Sequence, residues 1–157
     1  MDHVERRHSI VLSGSIDRVF PLFTPAGEKL WVEGWDPEFL YPTSGEPCEG
    51  MVFRTSHGGE VTLWACIDWS PSTHRVRYAR VMPASRFGFV QVDCHEVAPT
   101  STEAVVAYSF TALSPEGRSY LAQMTEEAFA AMIEMWRTHI DHWLVRNQET
   151  ARQKQDR

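Results

Sequence analysis

Cysteine is scarce in this 157-residue chain: Cys48, Cys66 and Cys94 are an odd number at wide spacing, with no Cys-x-x-Cys pair. That pattern excludes a disulfide framework and reads as free thiols in a reducing cytoplasm. Basic charge is also short, 15 Lys and Arg against 21 Asp and Glu, for a net charge of −6. No basic stripe appears, so binding of nucleic acid through its phosphates is excluded. Arg75, Arg77 and Arg80 share one strand, but alternation puts the first two on the face opposite the third. No apolar run is long enough to span a bilayer, and Met1-Asp-His-Val-Glu-Arg-Arg7 offers no signal-peptide stretch. Glycine-rich phosphate loops, Gly-x-Ser-x-Gly elbows and metal-hydrolase signatures are missing too.

What is present is a run of short extended segments framed by helices. His8 to Ser13 reads as a first strand. Ser15 then caps a short helix carrying Ile16, Val19, Phe20 and Phe23 at three- and four-residue spacing. Thr24 caps a second, with Pro25 at its first position, Glu28 close behind, and Leu30 and Trp31 as its apolar residues. Gly34 stops it, and Asp36-Pro37 leads into the extended piece Phe39 to Tyr41. Strands follow at Met51 to Thr55, Glu60 to Trp69, His74 to Met82, Arg86 to Val97 and Thr102 to Leu113. Their connections are short and turn-like, with His57-Gly58-Gly59 as the first, so the strands form an antiparallel meander. Ser114-Pro115-Glu116 opens a final helix of roughly 30 residues, about 45 Å long, which must cross the whole sheet. One domain over residues 1–146 and a polar tail over 147–157 account for the chain.

Alternation sorts the strands into faces. Ala104, Val106, Tyr108, Phe110 and Ala112 point inward from the last strand, Val90, Val92 and Cys94 from the one before. Val76, Tyr78, Arg80 and Met82 share the inward side of their strand. The Glu60 to Trp69 strand stays open, because Trp64-Cys66 and Leu63-Ala65-Ile67-Trp69 both suit burial. On the last helix, Leu121, Met124, Thr125, Ala128, Phe129, Met132, Met135, Trp136, His139, Ile140 and Trp143 form one broad face. Met124, Ala128 and Met132 there would oppose the sheet as a pliable apolar surface, or simply be core.

Arg80 is the sharpest chemical candidate. An inward guanidinium needs an anionic ligand or a partner such as Glu33 or Glu38. Tyr78 and Tyr108 would orient a ligand's polar end or bond at the core edge. Trp31 and Trp35 would clamp the short helices, with Trp35 as part of a lid over the pocket. Trp64, Val92 and Phe110 complete the expected lining. His139 and His142 lack a third ligand, so neither metal nor other cofactor is expected. Cys66 and Cys94 read as inert buried thiols, since no activating base stands beside them.

The segment Gly34-Trp-Asp-Pro-Glu-Phe-Leu-Tyr-Pro42 and the phrase Thr111-Ala-Leu-Ser-Pro-Glu-Gly117 resemble the START-like or SRPBCC superfamily, in its polyketide cyclase/dehydrase and lipid-transport branch. The resemblance covers about residues 3–143. It implies an α+β helix-grip fold: a curved antiparallel sheet of six or seven strands, two short helices after the first, and a long C-terminal helix across the concave face. It implies an internal cavity but no catalytic residue set. Three functions compete: binding or transport of a small hydrophobic or amphipathic molecule, a cyclase/dehydratase-like reaction in the same cavity, and a protein-interaction module resembling activators of the Hsp90 ATPase. The last would use Phe87 and Phe89 on the outer face, a pair that would serve equally as a homodimer contact.

Overall fold

The computed structural model describes residues 2–155, with side-chain surroundings as far as residue 148. Seven strands, β1 (His3–Leu12), β2 (Glu38–Tyr41), β3 (Val52–His57), β4 (Glu60–Ser70), β5 (Arg75–Met82), β6 (Arg86–Ala98) and β7 (Ser101–Ala112), form one sheet in the order β1-β7-β6-β5-β4-β3-β2. Every pairing is antiparallel, as hairpin connections require. The first two strands in sequence therefore lie on opposite edges. The chain between them must traverse the sheet, and it does so as α1 (Ile16–Val19), a 3-10 turn (Phe20–Phe23) and α2 (Pro25–Glu28). Thr24 caps α2 by accepting a hydrogen bond from the Gly27 amide at 3.0 Å. Gly27 cannot carry a side chain, since a Cβ there would run into the Pro21 carbonyl oxygen.

The curved sheet, the short helices after β1 and the long C-terminal helix are the helix-grip arrangement. The core lies between the concave face and these helices, with Leu12, Phe23, Phe53, Val76, Val106, Phe110, Ile133, Ile140 and Leu144 fully buried.

A β-bulge between Cys66 and Asp68 settles the phase of β4. The extra residue shifts the alternation by one. Trp64 and Cys66 thus face inward before the bulge and Trp69 after it, stacked on Phe20 with ring centroids 5.3 Å apart. Leu63 and Ile67, the other set, are exposed.

The last helix departs from its expected form. It is two helices, α3 (Pro115–Gln123) and α4 (Glu126–Gln155), broken at Met124 and Thr125. Ser114 caps α3 as expected, accepting from the Gly117 amide at 3.1 Å. Thr125 restarts the helix: its hydroxyl accepts from the Ala128 amide at 3.1 Å. Arg6 of β1 donates its Nε–H to the Met124 carbonyl at 2.9 Å, satisfying an acceptor freed by the break. The break rotates the buried stripe to Phe129, Ile133, Ile140 and Leu144, and leaves Met135 and His139 outside. From there α4 runs alongside β1, tied by the Glu134 carboxylate to His8 at 2.9 Å and by the Asp141 carboxylate, which accepts from the Ser13 amide at 2.8 Å. The polar stretch that the sequence sets apart from residue 147 continues α4 as far as Gln155, and residues 156 and 157 lie outside the described residues.

Replacing Thr125 by Ala removes the cap that restarts α4. Urea unfolding is expected to show a loss of about 1 kcal/mol with an unchanged m-value.

Candidate functional site

One cross-strand row on the concave face organises the site. Phe39, Phe53, Trp64, Arg80, Gly88 and Phe110 stand opposite one another across β2, β3, β4, β5, β6 and β7. Gly88 lacks the side chain that would separate Arg80 from Phe110. A Cβ at that position would run into the Phe110 ring and approach the Ser109 carbonyl oxygen to 2.7 Å. The gap lets the Phe110 ring reach across, and the guanidinium of Arg80 lies 4.5 Å from its centroid, 4.4 Å from that of Tyr108 and 5.1 Å from that of Trp64. Arg80 is caged by aromatic faces, a favourable setting for a partly desolvated cation. Its Nε is buried and has no hydrogen-bond partner. No carboxylate forms an ion pair with it among the described residues. Glu38 pairs instead with Arg54 at 2.7 Å, and Glu33 is exposed, so neither expected mate is in place.

The acid that does face Arg80 is Glu28, at the end of α2. Both line a partly open cavity of about 130 Å³ bounded by Phe23, Trp31, Trp35, Phe53, Trp64, Tyr78 and Tyr108, with Trp136 of α4 on one side. Burial pushes the Glu28 carboxyl up to about 8, and the Arg80 charge opposes that rise. The carboxyl makes no hydrogen bond to another described residue. Both tyrosine phenols are raised by burial, Tyr108 against the pull of Arg80. The Tyr78 hydroxyl is already engaged, donating to the Phe23 carbonyl at 2.9 Å. Trp31 and Trp35 tie their indole N–H groups to the carbonyls of Leu22 and Pro25, each at 2.8 Å, which fixes their ring faces toward the cavity.

Of the residues picked from sequence, Trp35, Trp64, Tyr78, Arg80, Val92 and Tyr108 come together around this cavity, and Phe110 backs Arg80. Met124, Ala128 and Met132 are elsewhere. With Tyr120, Gln123 and Phe129 they line a separate groove of about 180 Å³ at the α3–α4 break, because the re-phased α4 turns them from the cavity. Glu28 was placed in the second short helix from the sequence but not among the candidate site residues. Its signal was the three-residue spacing to Trp31, which puts both on one side of a helical turn; Leu30, expected inside, is 52% exposed. Arg86 was missed as well. It is buried inward on β6, over the Tyr120 ring at 3.4 Å and paired with Glu60 at 3.2 Å. Cys66 and Cys94 are buried thiols pushed up to about 11 and about 12 by desolvation, away from the thiolate a nucleophile needs. Among the described residues no cluster of His, Cys, Asp and Glu is suited to a metal, and no helix is long and apolar enough to cross a membrane.

No family model matches the sequence. Among curated proteins, a 4-galactosyl-N-acetylglucosaminide 3-alpha-L-fucosyltransferase of Gorilla gorilla gorilla is 29% identical over 126 residues, 79% of this chain and 28% of that protein. A 3-galactosyl-N-acetylglucosaminide 4-alpha-L-fucosyltransferase of Homo sapiens is 26% identical over 147 residues, 92% of this chain and 35% of that protein. The chain thus spans roughly a third or less of these relatives. Solved structures match it over nearly their whole length. Norcoclaurine synthase from Thalictrum flavum, in complex with dopamine and hydroxybenzaldehyde, gives a TM-score of 0.65 at 13% identity, covering 92% of this chain and 87% of that one. The Zhui aromatase/cyclase from Streptomyces sp. R1128 gives 0.55 at 16% identity, covering 91% and 87%. A hypothetical protein from Helicobacter pylori gives 0.70 at 9% identity, covering 89% and 87%. What this chain shares with them is the helix-grip fold.

Two outcomes follow from the burial at the site. The unfolded Glu28 carboxyl ionises near its ordinary value of 4.5 and the folded one near 8. Glu28 therefore destabilises the fold increasingly as pH rises from 4.5 to 8, and fully above that, by at most a few kcal/mol. Glu28→Gln is expected to raise the denaturant midpoint at pH 9 and to change it little near pH 4.5. Thiol labelling of the native chain at pH 8 is expected to modify the half-buried Cys48 first and to leave Cys66 and Cys94 intact until unfolding.

Proposed function

We propose that the chain binds a small hydrophobic or amphipathic molecule in its internal cavity, and that it is a cytoplasmic member of the START-like superfamily in the polyketide cyclase/dehydrase and lipid-transport branch. The observation that carries this reading is the cavity itself: a space walled by eight aromatic residues, yet lined by one cation, Arg80, to which no carboxylate is ion-paired among the described residues. A folded core gains nothing from such a space. A cavity between side chains forfeits dispersion contacts, which a ligand of matching shape supplies. The volume of about 130 Å³ suits a molecule of one ring or a short chain, below the range of about 300–1,000 Å³ for drug-sized ligands. The norcoclaurine synthase structure holds dopamine and hydroxybenzaldehyde, molecules of that size.

A cyclase- or dehydratase-like reaction is the second reading. It is favoured by the meeting of Glu28 and Arg80 on one cavity, because a carboxyl poised near neutrality is suited to donating and accepting protons. The interaction-module and homodimer readings have less behind them. Phe87 is 38% exposed, while Phe89 lies half-buried beneath Arg77, whose guanidinium sits 4.7 Å from its ring centroid.

Native mass spectrometry of the protein purified from its own cells is expected to show a small organic molecule released on denaturation. Val90→Phe projects a ring into the cavity and is expected to lower the bound fraction about tenfold while folding is retained at a cost of about 1–3 kcal/mol. A chain that carries nothing, and whose tryptophan fluorescence responds to no small aromatic compound, would defeat the proposal.

A further inference from the structure

We infer that the cavity selects the anion of a small hydrophobic acid, a carboxylate held by Arg80 beside the Glu28 carboxyl; this rests on the ligand-binding reading above. The geometry supplies the reason. Arg80 brings one positive charge to the cavity wall, and the ring centroids of Trp64, Tyr108 and Phe110 lie within 5.1 Å of its guanidinium. Aromatic faces accommodate a cation but do not neutralise it. A carboxylate supplies the countercharge, in a charge-assisted bond to the guanidinium. Glu28 is not that countercharge. It forms no ion pair with Arg80, and its carboxyl, pushed up to about 8, is mostly protonated at pH 7.

The remaining lining keeps this charge balance intact. Glu28 faces Arg80 and Tyr78 of β5 and Tyr108 of β7; β4 contributes Trp64, β6 Val90 and Val92, and α4 Trp136. Both phenols are raised by burial and stay neutral through pH 9, while a guanidinium keeps its charge. At pH 7 the lining therefore carries one net positive charge, and a monoanion completes it. A neutral isostere leaves the Arg80 charge unbalanced, and a cation is repelled by it. Protonated Glu28 also brings an O–H donor for the second oxygen of the same carboxylate. When Glu28 ionises, that donor is lost and a repelling charge takes its place.

Phenylacetate and phenylacetamide test this directly, since they have nearly the same shape and differ in charge. Tryptophan fluorescence titration at pH 7 is expected to show phenylacetate bound at least about tenfold more tightly. Between pH 7 and pH 9 its affinity is expected to fall about tenfold, while that of the amide stays level. Glu28→Gln is expected to remove the pH dependence and keep the preference for the anion. Arg80→Met is expected to abolish the preference and still bind the amide. Equal binding of the two probes by the native chain, or tighter binding of the amide, overturns the inference and leaves the ligand-binding reading standing. Binding of neither overturns both. Should Arg80→Met fail to fold, the comparison of the two probes in the native chain decides alone.

Discussion

A guanidinium held among aromatic rings with no carboxylate in contact with it is the interaction around which the concave face is arranged. Placing Arg80 there required three independent concessions. Gly88 gives up its side chain so that Phe110 can reach across β6. Trp64 faces inward, although Leu63 and Ile67 compete for that side of β4. The crossing segment supplies a carboxyl that remains neutral near pH 7. An apolar residue in place of Arg80 would make the first two arrangements ordinary packing and the third pointless. The three together are understandable when Arg80 has something to hold.

The topology determines which element closes the site. Because β1 and β2 occupy opposite edges, residues 13–37 must pass beneath the sheet, and they do so against the row that contains Arg80. The cavity is thus walled more by α2 and Trp31, Val32 and Trp35 than by the long helix, which contributes Trp136. A four-residue helix has little stability of its own. Its position depends on the Thr24 cap, on the two indole N–H bonds to Leu22 and Pro25, and on the Tyr78 hydroxyl bond to Phe23. The grip of α4 is spent on β1, through His8 and Ser13, rather than on the cavity.

How much of this was legible in the sequence depended on the range of the information each feature needs. Strand faces require only alternation, so the inward phases of β5, β6 and β7 could be read directly, Tyr78 with Arg80 and Val90 with Val92. The phase of β4 could not, because a bulge reverses it between Cys66 and Trp69 and nothing in the local pattern marks where the extra residue sits. The α3–α4 break misled for a related reason. Thr125 fits an apolar stripe at helical spacing, but it is a cap whose necessity comes from Arg6, 119 positions away, reaching the freed Met124 carbonyl. Once the helix is re-phased there, Met124, Ala128 and Met132 leave the cavity face and Ile133 and Leu144 join the core. Glu28 was read only as part of the short helix that Thr24 caps. Its actual surroundings are set by strands far along the chain.

Glu28 also shows why the fold alone does not determine the chemistry. Structures that are 9–16% identical to this chain share its sheet and its grip. Gln would occupy nearly the same volume without the ionisation cost, and no described residue hydrogen-bonds the carboxyl, so packing does not explain the choice. A group that lowers native stability at neutral pH belongs with function when a defined partner for it is at hand. Arg80 is that partner across the cavity, and the space between them is where their charges differ most from what the core alone would favour.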